Sequence, residues 1–216
     1  MLLYYITDRL GFAGGPAEQR TALLRCIGEA AQAEVDYIQL REKDLDLAGL
    51  ELLAREALHI VRDRSESTKL LINRNVDVAL AIGADGVHLP ANSPAVAEVR
   101  DQWLQQTHDR PIVAVSAHTL AEVRQADSEG ADFVALAPIF EKVVAGQPGI
   151  GLDMLAKASA SARVPVLALG GVRLGNVRAC LDAGAAGVAA IRLFQENGVR
   201  QTVAALRWLS ERVTPP

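Results

Sequence analysis

The amino-acid sequence predicts a single-domain α/β protein, a (β/α)₈ TIM barrel that uses residues 1–216. Eight short apolar runs alternate with longer amphipathic segments, a glycine-initiated motif recurs, and no linker-like segment divides the chain. Apolar strands separated by helices are typical of a parallel sheet that is covered on its faces. Eight units in 216 residues leave 27 residues per unit, which is sufficient for a minimal barrel.

The elements are predicted from hydrophobic periodicity and from helix-start signals. The segment AGLELLAREALHIVRDR has the apolar spacing of an amphipathic helix. The capping box TLAE, from Thr119 to Glu122, predicts the start of the helix after the fifth strand. Ser93 before Pro94 predicts a helix start after the fourth strand. In chain order, the predicted strands are LLYYIT, YIQLR, LLINR, GVHL, IVAVS, FVALAP, VLALG and GVAAI.

A faint internal repeat supports a barrel. GADGVHL, GADFVAL and GAAGVAA begin at Gly83, Gly130 and Gly184. Each glycine is predicted to end a helix in the left-handed conformation before a turn and a strand. The structural alternative, a doubly wound open sheet, is expected to carry G-x-G-x-x-G after its first strand, and YITDRLGFAGG lacks it.

Composition restricts the class of protein. Half of the residues are hydrophobic and only 4% are aromatic, which predicts a core of Leu, Val, Ile and Ala. A net charge of −4 argues against nucleic-acid or membrane-surface binding. We find neither an apolar run of membrane-spanning length nor the apolar region of a signal peptide. Cys26 and Cys180 stand alone in helical patterns, which indicates buried thiols in a cytoplasmic protein.

Polar residues follow the predicted strands, where a parallel barrel places its active site. Cations and hydrogen-bond donors outnumber carboxylates there, which predicts an anionic ligand and favours a phosphate. The predicted rim residues are Asp8, Gln39, Arg41, Lys43, Asn73, Arg74, His88, Ser116, His118, Lys142, Gly170, Gly171 and Arg192.

The glycines of VPVLALGGVRLGN predict one anion-binding region. Gly170 and Gly171 close the seventh strand, and a small-residue stretch closes the eighth. Phosphate sites in such barrels use the loops after these two strands, where glycine allows close approach to backbone N–H groups. Arg192 would add a direct charge.

The segment YIQLREKD predicts a second anion-binding region. Gln39, Arg41 and Lys43 alternate along the strand end, so the period of two places them on one face. Glu42 is expected on the opposite face, in an ion pair between strand and helix. Two facing regions indicate two phosphorylated substrates or one bis-anionic substrate.

The sequence resembles the thiamine phosphate synthase/TenI superfamily over essentially all of its length. The motifs that occur in the family's order and spacing are YYITD, YIQLREKD, LLINRNVDVAL, GADGVHLP, VSAHTLAEV, GADFVALAPIF, GIGLDML, VLALGGV and AGAAGVAAI. The resemblance implies a (β/α)₈ barrel. It also implies one of two activities: synthases join hydroxymethylpyrimidine diphosphate to hydroxyethylthiazole phosphate and release diphosphate, whereas TenI-type members tautomerise the thiazole phosphate.

The resemblance also implies site roles. The residues similar to those that grip the pyrimidine and its diphosphate are Gln39, Arg41, Lys43 and Asn73. Ser116 resembles a serine near the leaving diphosphate. The residues similar to the thiazole phosphate pocket are Gly170, Gly171, Ala190, Ile191 and Arg192.

The chain departs from the synthase pattern at the metal site. Mg²⁺ is expected for the family, but Arg74 stands where synthases have a metal-binding Asp, and GVHLPANS offers Asn92 and Ser93 in place of the second acid. Arg74 could neutralise the diphosphate in place of the metal. The synthase pattern PIFPT is replaced by PIFEKVVAG, where Lys142 is a candidate phosphate contact.

The chain also departs from the TenI pattern, because Pro138 stands where the catalytic histidine is expected. A tautomerase needs a group that transfers protons near neutral pH, and His118 and His88 are the candidates. The structural alternatives are a polar residue before a helix cap for His118 and a hydrogen-bonded residue inside the barrel mouth for His88.

We therefore predict a cytoplasmic thiamine-biosynthesis enzyme, a synthase-like transferase divergent at its metal site. It would bind phosphorylated thiazole and pyrimidine substrates and use Ser116, His118 and Lys142 in catalysis, with no nucleic-acid or membrane partner and a homodimer left open. The alternatives are a metal-independent TenI-type tautomerase and a non-catalytic binder of thiamine intermediates. Phosphosugar epimerases and aldolases are less favoured, because the rim lacks their paired acids and interior lysine.

Overall fold

The computed structural model describes residues 1–91, 93, 95–140 and 148–211. The strands in chain order are β1 Leu2–Ile6, β2 Tyr37–Leu40, β3 Lys69–Asn73, β4 Gly86–Leu89, β5 Ile112–Ala117, β6 Phe133–Leu136, β7 Val166–Leu169 and β8 Gly187–Ala190. Each strand pairs in parallel with its neighbours in sequence, and β8 pairs with β1 to close the sheet. This closed barrel confirms the predicted fold class and rules out the open doubly wound sheet.

Helices follow the strands and cover the outside of the barrel. Their bounds are α1 Pro16–Gln32, α2 Leu47–Arg64, α3 Val76–Ile82, α4 Val96–Leu104, α5 Leu120–Ser128, α6 Gly151–Ser161, α7 Leu174–Asp182, α8 Arg192–Gln195 and α9 Val199–Glu211, with a 3₁₀ helix at Arg9–Gly11 before α1. The placement of a helix after each strand accounts for the apolar strands, because their outer faces pack against helices.

One helix-start prediction is confirmed and one is wrong. Thr119 caps α5: its side-chain oxygen accepts from the Glu122 N–H at 3.2 Å, and the Glu122 carboxylate accepts from the Thr119 N–H at 3.3 Å. The helix predicted to start at Ser93 begins instead at Val96, after Ala95. The Ser93 N–H donates to the carbonyl of Pro90 at 3.2 Å, so Ser93 belongs to a turn that precedes the helix.

The repeated glycines adopt the predicted backbone conformation. Gly83, Gly130 and Gly184 have φ angles of 69°, 80° and 87°, in the left-handed region that favours glycine. Each follows the last turn of a helix and leads into a strand, so one helix-to-strand junction occurs three times.

The barrel interior corrects the predicted core composition. Leu, Val, Ile and Ala dominate the layer between strands and helices, as expected, but aromatic rings fill the interior. The ring of Phe133 lies 4.6 Å from that of Tyr37 and 5.2 Å from that of Tyr4. Ala114 and Ala189 belong to the same interior cluster. Because a few side chains must fill the width of a small barrel, large rings pack opposite small residues there.

Both cysteines are buried and free, as predicted. Burial raises the pKa of the Cys26 thiol and of the Cys180 thiol to about 11, so both remain protonated near neutral pH. In the described part of the chain, no helix combines the length and the apolar character that crossing a bilayer would require.

Candidate active site

A cavity of about 970 Å³ opens at the carboxyl ends of the strands, and every strand or the loop after it contributes to the wall. The predicted site residues on this wall are Gln39, Arg41, Lys43, Asn73, Arg74, His88, Ser116, His118, Gly170, Gly171, Ala190, Ile191 and Arg192. Lys142 lies outside the described residues. The structure therefore brings the two predicted anion-binding regions to one cavity, while the role of each residue stays a prediction.

Positive charge predominates on the described part of the wall. The cationic lining residues are Arg41, Lys43, Arg74, Arg173 and Arg192, and the carboxylates are Asp8 and Glu196. Sequence reasoning missed Arg173, although it directly follows the GGV that closes β7. An excess of cations at the mouth of a barrel favours a ligand with several negative charges.

Successive side chains of the loop after β2 point alternately to the cavity and to the protein interior. Arg41 and Lys43 line the cavity with Gln39, whereas Glu42 is buried on the other side. The Thr7 hydroxyl donates to Glu42 Oε1 at 2.6 Å, and Arg9 forms an ion pair with Glu42 Oε2 at 3.3 Å. The predicted ion pair is thus present, and its partner lies in the 3₁₀ helix.

Glu42 helps to fix the cationic loop to the barrel. Burial raises the pKa of its carboxyl, while hydrogen bonds from Thr7 and Arg9 oppose that rise. The Thr7 oxygen also accepts from the Arg41 N–H at 2.9 Å, so one hydroxyl joins the end of β1 to the loop after β2. This connection holds the backbone from which Arg41 and Lys43 extend to the cavity wall.

Arg74 occupies an unusual backbone conformation at the end of β3. Its φ angle is 66°, and its N–H donates to the His88 carbonyl at 3.0 Å. A non-glycine residue in the left-handed region costs energy, so a specific contact is needed to hold it there. Beside it, the Gln39 amide donates to Asn73 Oδ1 at 3.4 Å.

Among the described residues, the end of β3 presents Asn73 and Arg74 to the cavity, where Mg²⁺ would favour carboxylates. That ion takes octahedral oxygen ligands and is usually held through one or two carboxylates. Among the described residues, no cluster of three or more His, Cys, Asp and Glu side chains could hold a metal ion. At the end of β3 the wall presents the guanidinium of Arg74, which repels a cation.

His88 is held inside the barrel mouth by two hydroxyl groups. Its Nδ1 lies 2.9 Å from the Tyr4 hydroxyl, and its Nε2 lies 2.7 Å from Ser116 Oγ. Burial, with a further contribution from the charge of Arg41, lowers the pKa of His88 to about 3. The ring is therefore neutral at physiological pH. Its two hydrogen bonds match the structural alternative for His88, a hydrogen-bonded residue inside the barrel mouth.

His118 lies both before a helix cap and on the cavity wall. Its N–H donates to Glu122 Oε2 at 2.6 Å, and its Nδ1 lies 2.7 Å from the carbonyl oxygen of Ala137. Because a carbonyl can only accept, Nδ1 carries a proton and donates it. In the neutral ring, Nε2 is then a proton acceptor, so His118 is a candidate base.

The turn after β7 brings backbone close to the cavity. Gly170 and Gly171 have φ angles of 93° and 67°, and a Cβ on Gly170 would lie 2.7 Å from the Pro138 Cα. Asn176 fixes this turn: its Oδ1 accepts from the Arg173 N–H at 2.8 Å, and its Nδ2 donates to the Gly171 carbonyl at 3.0 Å. Sequence reasoning missed Asn176, because the Arg173 side chain cannot accept a hydrogen bond and the pair forms only the returning half of a capping box.

Comparison with known proteins gives consistent matches over nearly the whole chain. The family model for thiamine monophosphate synthase matches residues 3–194. A putative thiamine-phosphate synthase 2 from Aquifex aeolicus is 38% identical over 198 residues, which cover 90% of this chain and 97% of the relative. The thiamine-phosphate synthase of Methanoregula boonei is 38% identical over 216 residues, with coverage of 98% and 93%.

A solved structure shares the architecture. The thiamine phosphate pyrophosphorylase from Pyrococcus furiosus superposes with a TM-score of 0.81 at 27% identity, and the match covers 99% of this chain and 97% of that one.

Proposed function

Because this chain belongs to the thiamine monophosphate synthase family, we propose that it joins hydroxymethylpyrimidine diphosphate to hydroxyethylthiazole phosphate and releases diphosphate. The observation that carries the proposal is the joining of two cationic regions in one cavity. Arg41 and Lys43 lie on one part of the wall, and Arg173 and Arg192 lie near the glycine turn on another. Two phosphorylated substrates that must react with each other fit such a site.

In the proposed reaction, the C–O bond between the pyrimidine methylene and the diphosphate breaks, and the electron pair leaves with the diphosphate oxygen. The lone pair of the thiazole nitrogen then forms a C–N bond to the methylene cation. The protein contributes alignment of the two rings and preorganised positive charge around the departing diphosphate. Gln39 and Asn73 hold the pyrimidine, and the turn at Gly170 holds the thiazole phosphate.

We further propose that Arg74 supplies charge at the position where the family is expected to use Mg²⁺. The support is the donor set, because a guanidinium offers no oxygen ligand but can donate two hydrogen bonds to phosphate oxygens. Arg41 and Lys43 on the same wall add to this charge.

The test is formation of thiamine phosphate from both substrates, with EDTA and with added Mg²⁺. We expect equal rates under both conditions, and we expect Arg74→Gln to lower kcat by about a hundredfold. Arg25→Gln is the matched control, since the Arg25 side chain is 73% exposed on α1. Product that forms only with Mg²⁺ would contradict replacement of the metal by Arg74. No product under either condition would contradict the condensation itself.

A second candidate function, tautomerisation of the thiazole phosphate, is favoured by the geometry of His118. Its Nδ1 donates to the Ala137 carbonyl, which leaves Nε2 as the acceptor of a ring on the cavity wall. The test is turnover of the thiazole phosphate tautomer alone. Loss of this turnover in His118→Ala, with turnover retained in the exposed control His108→Ala, would support tautomerisation. Thermal stabilisation by thiazole phosphate without any turnover would instead indicate a non-catalytic binder.

A further inference from the structure

Three side chains form a chain of hydrogen bonds from the barrel interior to the cavity. The Tyr4 hydroxyl meets His88 Nδ1 at 2.9 Å, and His88 Nε2 meets Ser116 Oγ at 2.7 Å. Tyr4 is fully buried and His88 is 3% exposed, whereas Ser116 lines the cavity. This series of hydrogen bonds therefore has a buried end at Tyr4 and a cavity end at Ser116, where a ligand can bind.

The buried end, Tyr4, determines which atom donates in each of these hydrogen bonds. Within the described residues, His88 Nδ1 is the hydrogen-bond partner of the Tyr4 hydroxyl. Burial raises the pKa of Tyr4 well above its ordinary value, so the phenol keeps its proton. Because a buried hydroxyl that fails to donate is costly, this proton points to His88 Nδ1.

The tautomer of His88 is then determined. Burial keeps the ring neutral, and a neutral imidazole carries one proton. Since Nδ1 accepts from Tyr4, the proton resides on Nε2 and is donated to Ser116 Oγ. The hydroxyl proton of Ser116 is therefore not used by His88 and can be donated to a ligand in the cavity.

This arrangement is the reverse of a nucleophilic Ser-His pair. In a Ser-His-Asp triad the acid accepts from Nδ1, and Nε2 takes the proton of the serine. Here Tyr4 donates to Nδ1, so His88 cannot act as a base toward Ser116. We propose that Tyr4 and His88 are positioning residues that hold Ser116 as a hydrogen-bond donor to an anionic oxygen of the ligand.

The identity of that oxygen rests on the proposed function, in which the ligand atom is an oxygen of the leaving diphosphate. Ser116 shares the wall with Arg41 and Lys43, where the negative charge of that group would be neutralised. Donation from His88 to Ser116 Oγ also polarises the hydroxyl and strengthens it as a donor.

The tautomer can be measured without turnover. In protein labelled with ¹⁵N-histidine, the His88 signals are those absent from His88→Gln, and we expect an unprotonated Nδ1 and a protonated Nε2. Titration with inorganic diphosphate should show about ten- to a hundredfold weaker binding for Ser116→Ala and for Tyr4→Phe. Tyr5→Phe is the matched control, because Tyr5 is equally buried but packs toward Phe194 on the outer side of the same strand. A protonated Nδ1 in the wild-type protein would overturn the proposal.

Kinetics separate positioning from a general structural role. If Tyr4 acts through Ser116, Tyr4→Phe lowers kcat about tenfold or more in the wild-type background but has no further effect in a Ser116→Ala background. An equal loss in both backgrounds would overturn the proposal. Absence of turnover in the wild-type protein would contradict the proposed condensation. The tautomer and diphosphate measurements would still decide whether Tyr4 and His88 position Ser116.

Discussion

Acidification should reveal the buried neutral state of His88 as a loss of stability. Its pKa in the folded protein is lowered to about 3 from an ordinary 6.5, because burial and Arg41 disfavour the charged ring. Between about pH 3 and pH 6.5, His88 is therefore protonated in the unfolded chain but neutral in the folded protein. The stabilisation is complete above pH 6.5 and is lost as the pH falls toward 3, at about 1.4 kcal/mol per pH unit.

From pH 7.5 to pH 4.5 this effect amounts to about 3 kcal/mol, since about two pH units lie below 6.5. The assay is urea denaturation of the wild-type protein and His88→Gln across this range. The other three histidines and all carboxylates occur in both proteins, so their titration cancels in the difference between the two free energies of unfolding. We expect the wild-type protein to lose about 3 kcal/mol relative to the variant. Parallel curves would refute a depressed pKa for His88.

Three further predictions concern the framework of the site. Gly170→Ala should destabilise the protein by about 1–3 kcal/mol and weaken binding of thiazole phosphate, because the φ of 93° and the Pro138 backbone leave no room for a Cβ; unchanged urea midpoints and affinity would contradict this. Gly175→Ala, where a Cβ meets nothing within 4 Å, should leave the free energy of unfolding equal or up to about 1 kcal/mol higher in the same assay. Glu42→Gln should cost about 1–3 kcal/mol of stability and weaken diphosphate binding, because it removes the charge paired with Arg9 below the cationic loop; equal affinity for diphosphate would show that the loop does not depend on this pair.

The strands could be predicted to within one or two residues because buried parallel strands consist of apolar runs. Apolar pattern alone does not fix their ends. The sixth strand, predicted through Pro138, ends at Leu136, since proline has no N–H to extend the ladder. The predicted start of α4 was wrong because a turn that ends at Ser93 precedes the helix.

The residues that line the site could be predicted from the sequence, but the hydrogen bonds between their side chains could not. The period of two placed Arg41 and Lys43 on one face, and the parallel strands brought them to the same cavity wall as Gly170. The Tyr4 to His88 hydrogen bond spans 84 residues and depends on which side chains reach across the barrel interior. No local pattern in the sequence contains that information.

The interior aromatic cluster of Tyr4, Tyr37 and Phe133 has a consequence for how ligands reach the site. The packed rings occupy the barrel interior, and the cavity lies at the carboxyl ends of the strands. Under the proposed function, both substrates would therefore reach the site from the carboxyl end of the barrel.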